Sequence, residues 1–225
     1  MYPRAERYFA LALLITLIGF FPTYFSRVGE ASSLHHIHGL TATGWMLCLI
    51  TQAWLMRTRR LRWHRLLGWT SLVLAVSLFV SGLLVVRSML GDKGNRLGPS
   101  LAFIDFVALG YFALAITLAL VNRKRVQLHA RYMASTVVLV LPPALARVLL
   151  FFVAGFTKLA PAVHGAFVLS ELVVVLLLLD DRRRGAGFSK PYLGLMAATL
   201  LQHAGFTFSR YWPAWGQFTA WYAGL

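Results

Sequence analysis

Seven histidines, at positions 35, 36, 38, 64, 129, 164 and 203, carry most of the chemistry this chain can offer. Imidazole binds metal ions and haem iron and moves protons near neutral pH. Two of them repeat a local context: Arg60-Leu-Arg-Trp-His64 and Arg125-Val-Gln-Leu-His129 each place an arginine four residues before a histidine. Both follow basic runs and both open long apolar blocks. A parallel internal repeat of that kind brings His64 and His129 to one depth. Two histidines on facing helices can hold a haem iron, which makes His64 and His129 the leading haem b ligands. A second, outer pair would join His38 to His164 or His203. The plainer account is that histidines near a bilayer surface cap helices or bind lipid phosphates.

A metal site without porphyrin is the next reading. His35-His36-Ile-His38 offers imidazoles at i and i+3, and His164 and His203, with Asp105 or Glu171, could complete a Zn, Cu or Fe shell. The HExxH signature of a zinc protease is missing. A third reading starts from Asp105, Arg147 and Glu171, ionisable groups within apolar blocks. Such groups are costly in a bilayer and face a partner, a bundle interior or a transport path. Arg147 with Glu171 or Asp105 would then be an ion pair, whose plainer role is to hold the bundle together. Neither a G-x-S-x-G nucleophile turn nor a phosphate-cradling glycine loop occurs.

These residues need elements to position them, and composition names the kind. Of 225 residues, 59% are hydrophobic and only 13% charged, about half the charge of an ordinary soluble domain. The apolar residues fall in blocks long enough to cross a bilayer, predicting spans near 8–26, 36–56, 66–87, 100–121, 132–154, 160–179 and 191–209. The expected fold is all-α, one transmembrane helical domain over 1–225. No cleavable signal is expected at the start of the chain, because the first block is long for one and no small-residue cleavage site follows it. The aromatic tail, Tyr211-Trp-Pro-Ala-Trp and Trp221-Tyr222, reads as an interfacial segment.

The net charge of +15 is a topology signal. Fifteen of the 22 Lys and Arg lie in alternate loops: Arg4 and Arg7, Arg57 to Arg65, Arg123 to Arg131, and Arg182 to Lys190. Basic loops stay in the cytoplasm, so the N-terminus is expected inside and the C-terminus outside. Anionic lipids at the cytoplasmic face are the expected partners of these runs, and nucleic acid is not, since no aromatic-interleaved basic face accompanies them. Lone Cys48 forms no intrachain disulfide.

Helix faces support a shared interior. His38, Thr41, Trp45 and Gln52 fall on one stripe, and His64, Gly68, Ser71, Ala75 and Gly82 form a small-residue stripe that allows close approach. His129, Met133, Thr136 and Arg147 share a sector only if the helix runs straight through Pro142-Pro143, where a kink is expected.

The ordered elements His38-Gly39, Trp45, Gln52 and His64-Arg65-Leu-Leu-Gly68, followed by His129-Ala-Arg-Tyr-Met and Ala146-Arg147, resemble a group of uncharacterised bacterial multi-spanning membrane proteins. The resemblance covers the second to fifth spans and implies a multi-pass protein of the bacterial inner membrane. A looser similarity is to cytochrome b561, whose bundle holds haems through histidines near helix ends. That similarity implies haem b, electron transport and a redox partner, with His64 and His129 on one side. The other side departs from it, because the fourth span carries Asp105 and no histidine.

Overall fold

The computed structural model describes residues 4–185, 187 and 189–225. All regular structure among them is helical: α1 (Ala5–Phe20), α2 (Ser33–Arg57), α3 (Leu61–Gly91), α4 (Gly98–Val121), α5 (Val126–Val138), α6 (Leu141–Phe152), α7 (Leu159–Arg183), α8 (Lys190–Phe208) and α9 (Pro213–Gly224). Four stretches are long and apolar enough to cross a membrane: Leu61–Gly91, Gly98–Val121, Val126–Phe152 and Leu159–Arg183. They mark the chain as a membrane protein. Only 28% of the most apolar window of Gly98–Val121 is buried inside the protein. The remaining apolar surface faces outwards, as contact with hydrocarbon requires. Leu40, Val73, Val76 and Leu172, all more than half exposed, belong to the same belt.

Local chemistry sets the helix ends. Ser32 caps α2, its hydroxyl accepting the His35 N–H. α2 ends in a Schellman-type turn: Arg60 N–H bonds the Leu55 carbonyl and Arg59 N–H the Met56 carbonyl. Arg59 has a left-handed φ of 58°, which costs a non-glycine residue on the order of 1 kcal/mol. That turn folds α3 back along α2 and puts His64 in the first turn of α3. α7 stops with Gly185 at φ 75° just beyond its last turn, its N–H on the Arg182 carbonyl, and Arg182 and Arg183 also offset the helix dipole.

The fifth predicted span is broken. α5 ends at Val138 and α6 begins at Leu141 with Pro142 and Pro143 in its first turn. A proline has no N–H for the carbonyl four residues back, and its ring clashes there. Val138 and Leu139 are therefore where a continuous helix must yield. The first span also differs from expectation: α1 closes at Phe20, and Phe25–Glu30 is a 3-10 turn.

The packing forms a closed ring, α1–α2–α3–α4–α8–α7–α6 and back to α1. α5 packs on α4, α8, α1 and α2, whereas α6 sits between α1 and α7. The broken fifth element thus crosses the bundle diagonally. At the α6 end it fills the space between α1 and α7, and at the α5 end it leaves that space open. The aromatic tail folds back as α9 on α3 and α4. Trp215 Nε1 donates to the Pro99 carbonyl at 2.9 Å and Tyr222 OH to the Leu83 carbonyl at 3.0 Å.

Candidate functional site

His64 and His129 meet. α3 and α5 present their rings with centroids 6.5 Å apart and planes at 84°. His129 Nδ1 lies 2.9 Å from the Ala119 carbonyl of α4. A carbonyl only accepts, so Nδ1 carries the proton and Nε2 of the neutral ring keeps its lone pair. His64 Nδ1 is buried with no hydrogen-bond partner among the described residues. Two imidazoles on opposite sides of one metal ion place their ring centres roughly 6 Å apart, from about 2 Å per metal–nitrogen bond plus the ring radii. The observed centroid separation is of that order. The carbonyl behind His129 is also the kind of contact that orients a metal-bound histidine.

The residues of the α2 stripe position this pair. Trp45, 2% exposed, donates from Nε1 to Thr136 Oγ1 at 3.1 Å, tying α2 to α5. Gln52 donates from Nε2 to the His64 carbonyl at 3.1 Å, tying α2 to α3. The acceptor fixes which end of the amide is nitrogen, and Gln52 Oε1 is left buried without a partner. An unsatisfied buried carbonyl costs about 1–3 kcal/mol. Two orphaned polar atoms, Gln52 Oε1 and His64 Nδ1, therefore belong to the two residues joined by one side-chain-to-backbone hydrogen bond.

Beside the pair opens a cavity of about 820 Å³, within the size of ordinary small-molecule sites. Trp45, Gln52, Gly68, Ser71 and His129 line it at one side, Phe9 and Leu177 at the other. Exposed charged residues, Arg65, Arg123 and Arg184, stand at its rim with the half-buried Asp180, and the largely buried Arg131 and buried Asp181 line it as well. Arg131 and Asp181 form a bidentate pair at 2.7 and 2.8 Å, with the Asp181 side chain 0% and Arg131 11% exposed. That pair clamps α5 to α7 one half-turn beyond His129. It is missed by a sequence reading in which Arg131 is one more basic-loop residue. The signal was the second of the two carboxylates, Asp180-Asp181, that follow the apolar run Leu176 to Leu179.

The outer candidates separate into two places. His38 Nδ1 bonds Ser81 Oγ at 3.2 Å and joins α2 to α3. It is not bonded to either outer histidine proposed as its partner. His164 Nδ1 instead lies 3.0 Å from His203 Nε2, and His203 Nδ1 lies 2.9 Å from Glu171 Oε1. With Glu171 ionised, His203 donates to it and accepts from His164, a carboxylate–imidazole–imidazole chain across α7 and α8. Phe167 stacks on His203 at 5.1 Å. His35 Nδ1 bonds the capping Ser32 hydroxyl and His36 Nδ1 the Tyr24 hydroxyl. No three His, Cys, Asp or Glu side chains converge as a metal-ion site among the described residues.

Arg147 forms no ion pair with Glu171 or Asp105 among the described residues. Its Nε donates to Thr23 Oγ1 at 3.2 Å and its Nη1 to the Pro143 carbonyl at 2.9 Å. The guanidinium lies 4.2 Å above the Phe20 ring. Its charge reaches Asp105 at longer range. This arginine fastens α6 to α1, the contact that completes the ring. Comparison of the chain with protein-family models, with curated proteins and with solved structures finds no match.

Proposed function

We propose that the protein is a multi-pass protein of the bacterial inner membrane that transfers electrons through one haem b held by His64 and His129. The observation that carries this reading is the meeting of those two rings at 6.5 Å, one with its Nδ1 held by a backbone carbonyl and the other with a buried orphan nitrogen. The resemblance to bacterial membrane proteins with the His–Trp–Gln–His-Arg pattern is part of the proposal. Trp45 and Gln52 support it by acting as tethers for the elements that bear the two histidines.

Seven crossings with the N-terminus inside are likewise proposed. The helices outside those four stretches, α1, α2 and α8, occupy places in the closed ring. Leaving them outside the bilayer would strip the apolar flanks of their neighbours. In that orientation the basic loops, His64, His129 and the cavity all lie towards the cytoplasm, beside anionic lipid headgroups.

When bound, haem supplies a one-electron iron couple. The chain's own residues do the rest. Ala119 holds the His129 tautomer, Gln52 and Trp45 hold α3 and α5 at their separation, and Gly68 and Ser71 leave a low wall on the α3 side. Arg65 and Arg123, which have no carboxylate partner among the described residues, stand at the mouth and would hold the carboxylates of the group.

A second reading rests on the His164–His203–Glu171 chain: a non-redox transporter whose protonatable path runs through the α7–α8 seam. A reduced-minus-oxidised visible spectrum of protein purified in mild detergent separates the two. A b-type α-band and Soret peak, lost in His64→Ala and in His129→Ala and kept in His203→Ala, is the expected result. A featureless spectrum from protein expressed with ample haem refutes the haem reading. Uptake abolished by Glu171→Gln would then favour the second.

A further inference from the structure

The diagonal course of α5 and α6 leaves the cavity open sideways. On one flank it is bounded by α1, with Tyr8 65% exposed, and on the other by α7, with Leu176 57% exposed. In the bilayer that opening faces lipid, so an apolar molecule can enter without crossing water. The wall beyond it is mostly aromatic and aliphatic, and its largely buried charges, Arg131 and Asp181, are paired with each other. At the far wall stands Gln52, 9% exposed, with Nε2 committed to the His64 carbonyl and Oε1 buried and unpartnered. The terminal amide torsion is soft, and a small rotation presents Oε1 to the cavity.

An acyl chain fills such a space but leaves that acceptor unsatisfied. A phosphate headgroup is repelled by it and is held at the arginine rim. The missing component is an uncharged donor on a flat apolar body, facing Trp45 and Phe9. We infer that the cavity binds a lipid-soluble ring hydroxyl compound, of the phenol or hydroquinone class, which enters between α1 and α7 and donates its hydroxyl to Gln52 Oε1. This goes beyond the haem reading and does not rest on it.

The test uses the full chain in lipid nanodiscs and two probes, a ring-brominated nonylphenol and its O-methyl ether, in which a methyl group replaces the hydroxyl proton and removes the donor. Bromine quenches the tryptophan it touches, and Trp45 and Trp69 both line the cavity. Saturable quenching is expected, with the phenol binding about tenfold tighter than the ether, the contribution of one buried hydrogen bond. In Gln52→Met the two probes should bind alike. In Gln52→Glu, which keeps an acceptor, the preference should persist and shows that the Met result is not misfolding. Ala134→Phe, which fills the cavity, should abolish saturable quenching with the melting temperature retained. Equal binding of both probes to the unaltered protein overturns the inference, as does a preference that survives Gln52→Met or quenching that survives Ala134→Phe. The same samples carry the haem spectrum, so the two readings fail separately: a phenol preference without a Soret band leaves this site and removes the haem, and the reverse removes only this site.

Discussion

Replacing Asp181 with alanine should be among the most damaging single changes that leave every histidine in place. The carboxylate is fully buried and holds Arg131 through two short charge-assisted bonds. Removing it leaves a guanidinium, itself 11% exposed, without its two short carboxylate bonds, beside the Gln127 carbonyl and side-chain oxygens at 3.3 and 3.4 Å. Breaking a buried pair from one side costs about 3–5 kcal/mol, because the surviving charge stays desolvated. For a chain of this size that corresponds to roughly 6–20 °C in melting temperature. Thermal unfolding in mild detergent, followed by loss of the monodisperse peak, reads the shift. The adjacent Asp180 is the control. Its side chain is 36% exposed and it pairs with Arg184 within one helix turn, so Asp180→Asn should cost under about 1 kcal/mol. Replacing both members, Arg131→Met with Asp181→Leu, should recover most of the loss, since apolar groups of similar volume need no compensation. A shift under about 2 °C for Asp181→Ala, or a double variant no better than the single, would refute the reasoning.

Other outcomes follow from the same contacts. Trp45→Phe keeps an aromatic ring against Phe112 but removes the bond to Thr136 and part of a fully buried indole, so it should cost about 1–3 kcal/mol in the melting assay and leave the visible spectrum in position. Gly19→Ala should destabilise by about 1–3 kcal/mol, because a Cβ there runs into the backbone carbonyl of Ala144. Gly110→Ala meets nothing within 4 Å and should be neutral or stabilising by about 0.5–1 kcal/mol; the two are compared by melting temperature. With Cys48 replaced by serine, single cysteines at Arg96 and at Lys124 should react with an impermeant maleimide from opposite sides of intact cells and inverted vesicles. Labelling of both from one side would refute the seven-crossing orientation.

Much of the fold was legible because the bilayer imposes a local rule. A helix must be apolar for about 20 residues to cross, and length and hydropathy are properties of contiguous sequence. The break after Val138 was legible for the same reason: a proline acts on the carbonyl four residues before it. His64 and His129 were legible as a pair through their shared Arg-x-x-x-His context. Which outer histidines bond was not. His38 meets Ser81 because α2 neighbours α3, and His164 meets His203 because α7 neighbours α8. No spacing along the chain encodes that ring order.

The sequence by itself determined a helical membrane protein with basic loops at one end and a small set of polar side chains in apolar surroundings. Those features depend on composition, periodicity and local backbone chemistry. Only the tertiary structure decided that Arg131 is clamped by Asp181, that Arg147 fastens α6 to α1 without an ion pair, and that Gln52 keeps a buried carbonyl open beside a cavity. Each of these depends on which helix faces which. The diagonal crossing of α5 and α6 sets that choice by filling one end of the space between α1 and α7 and leaving the other end empty.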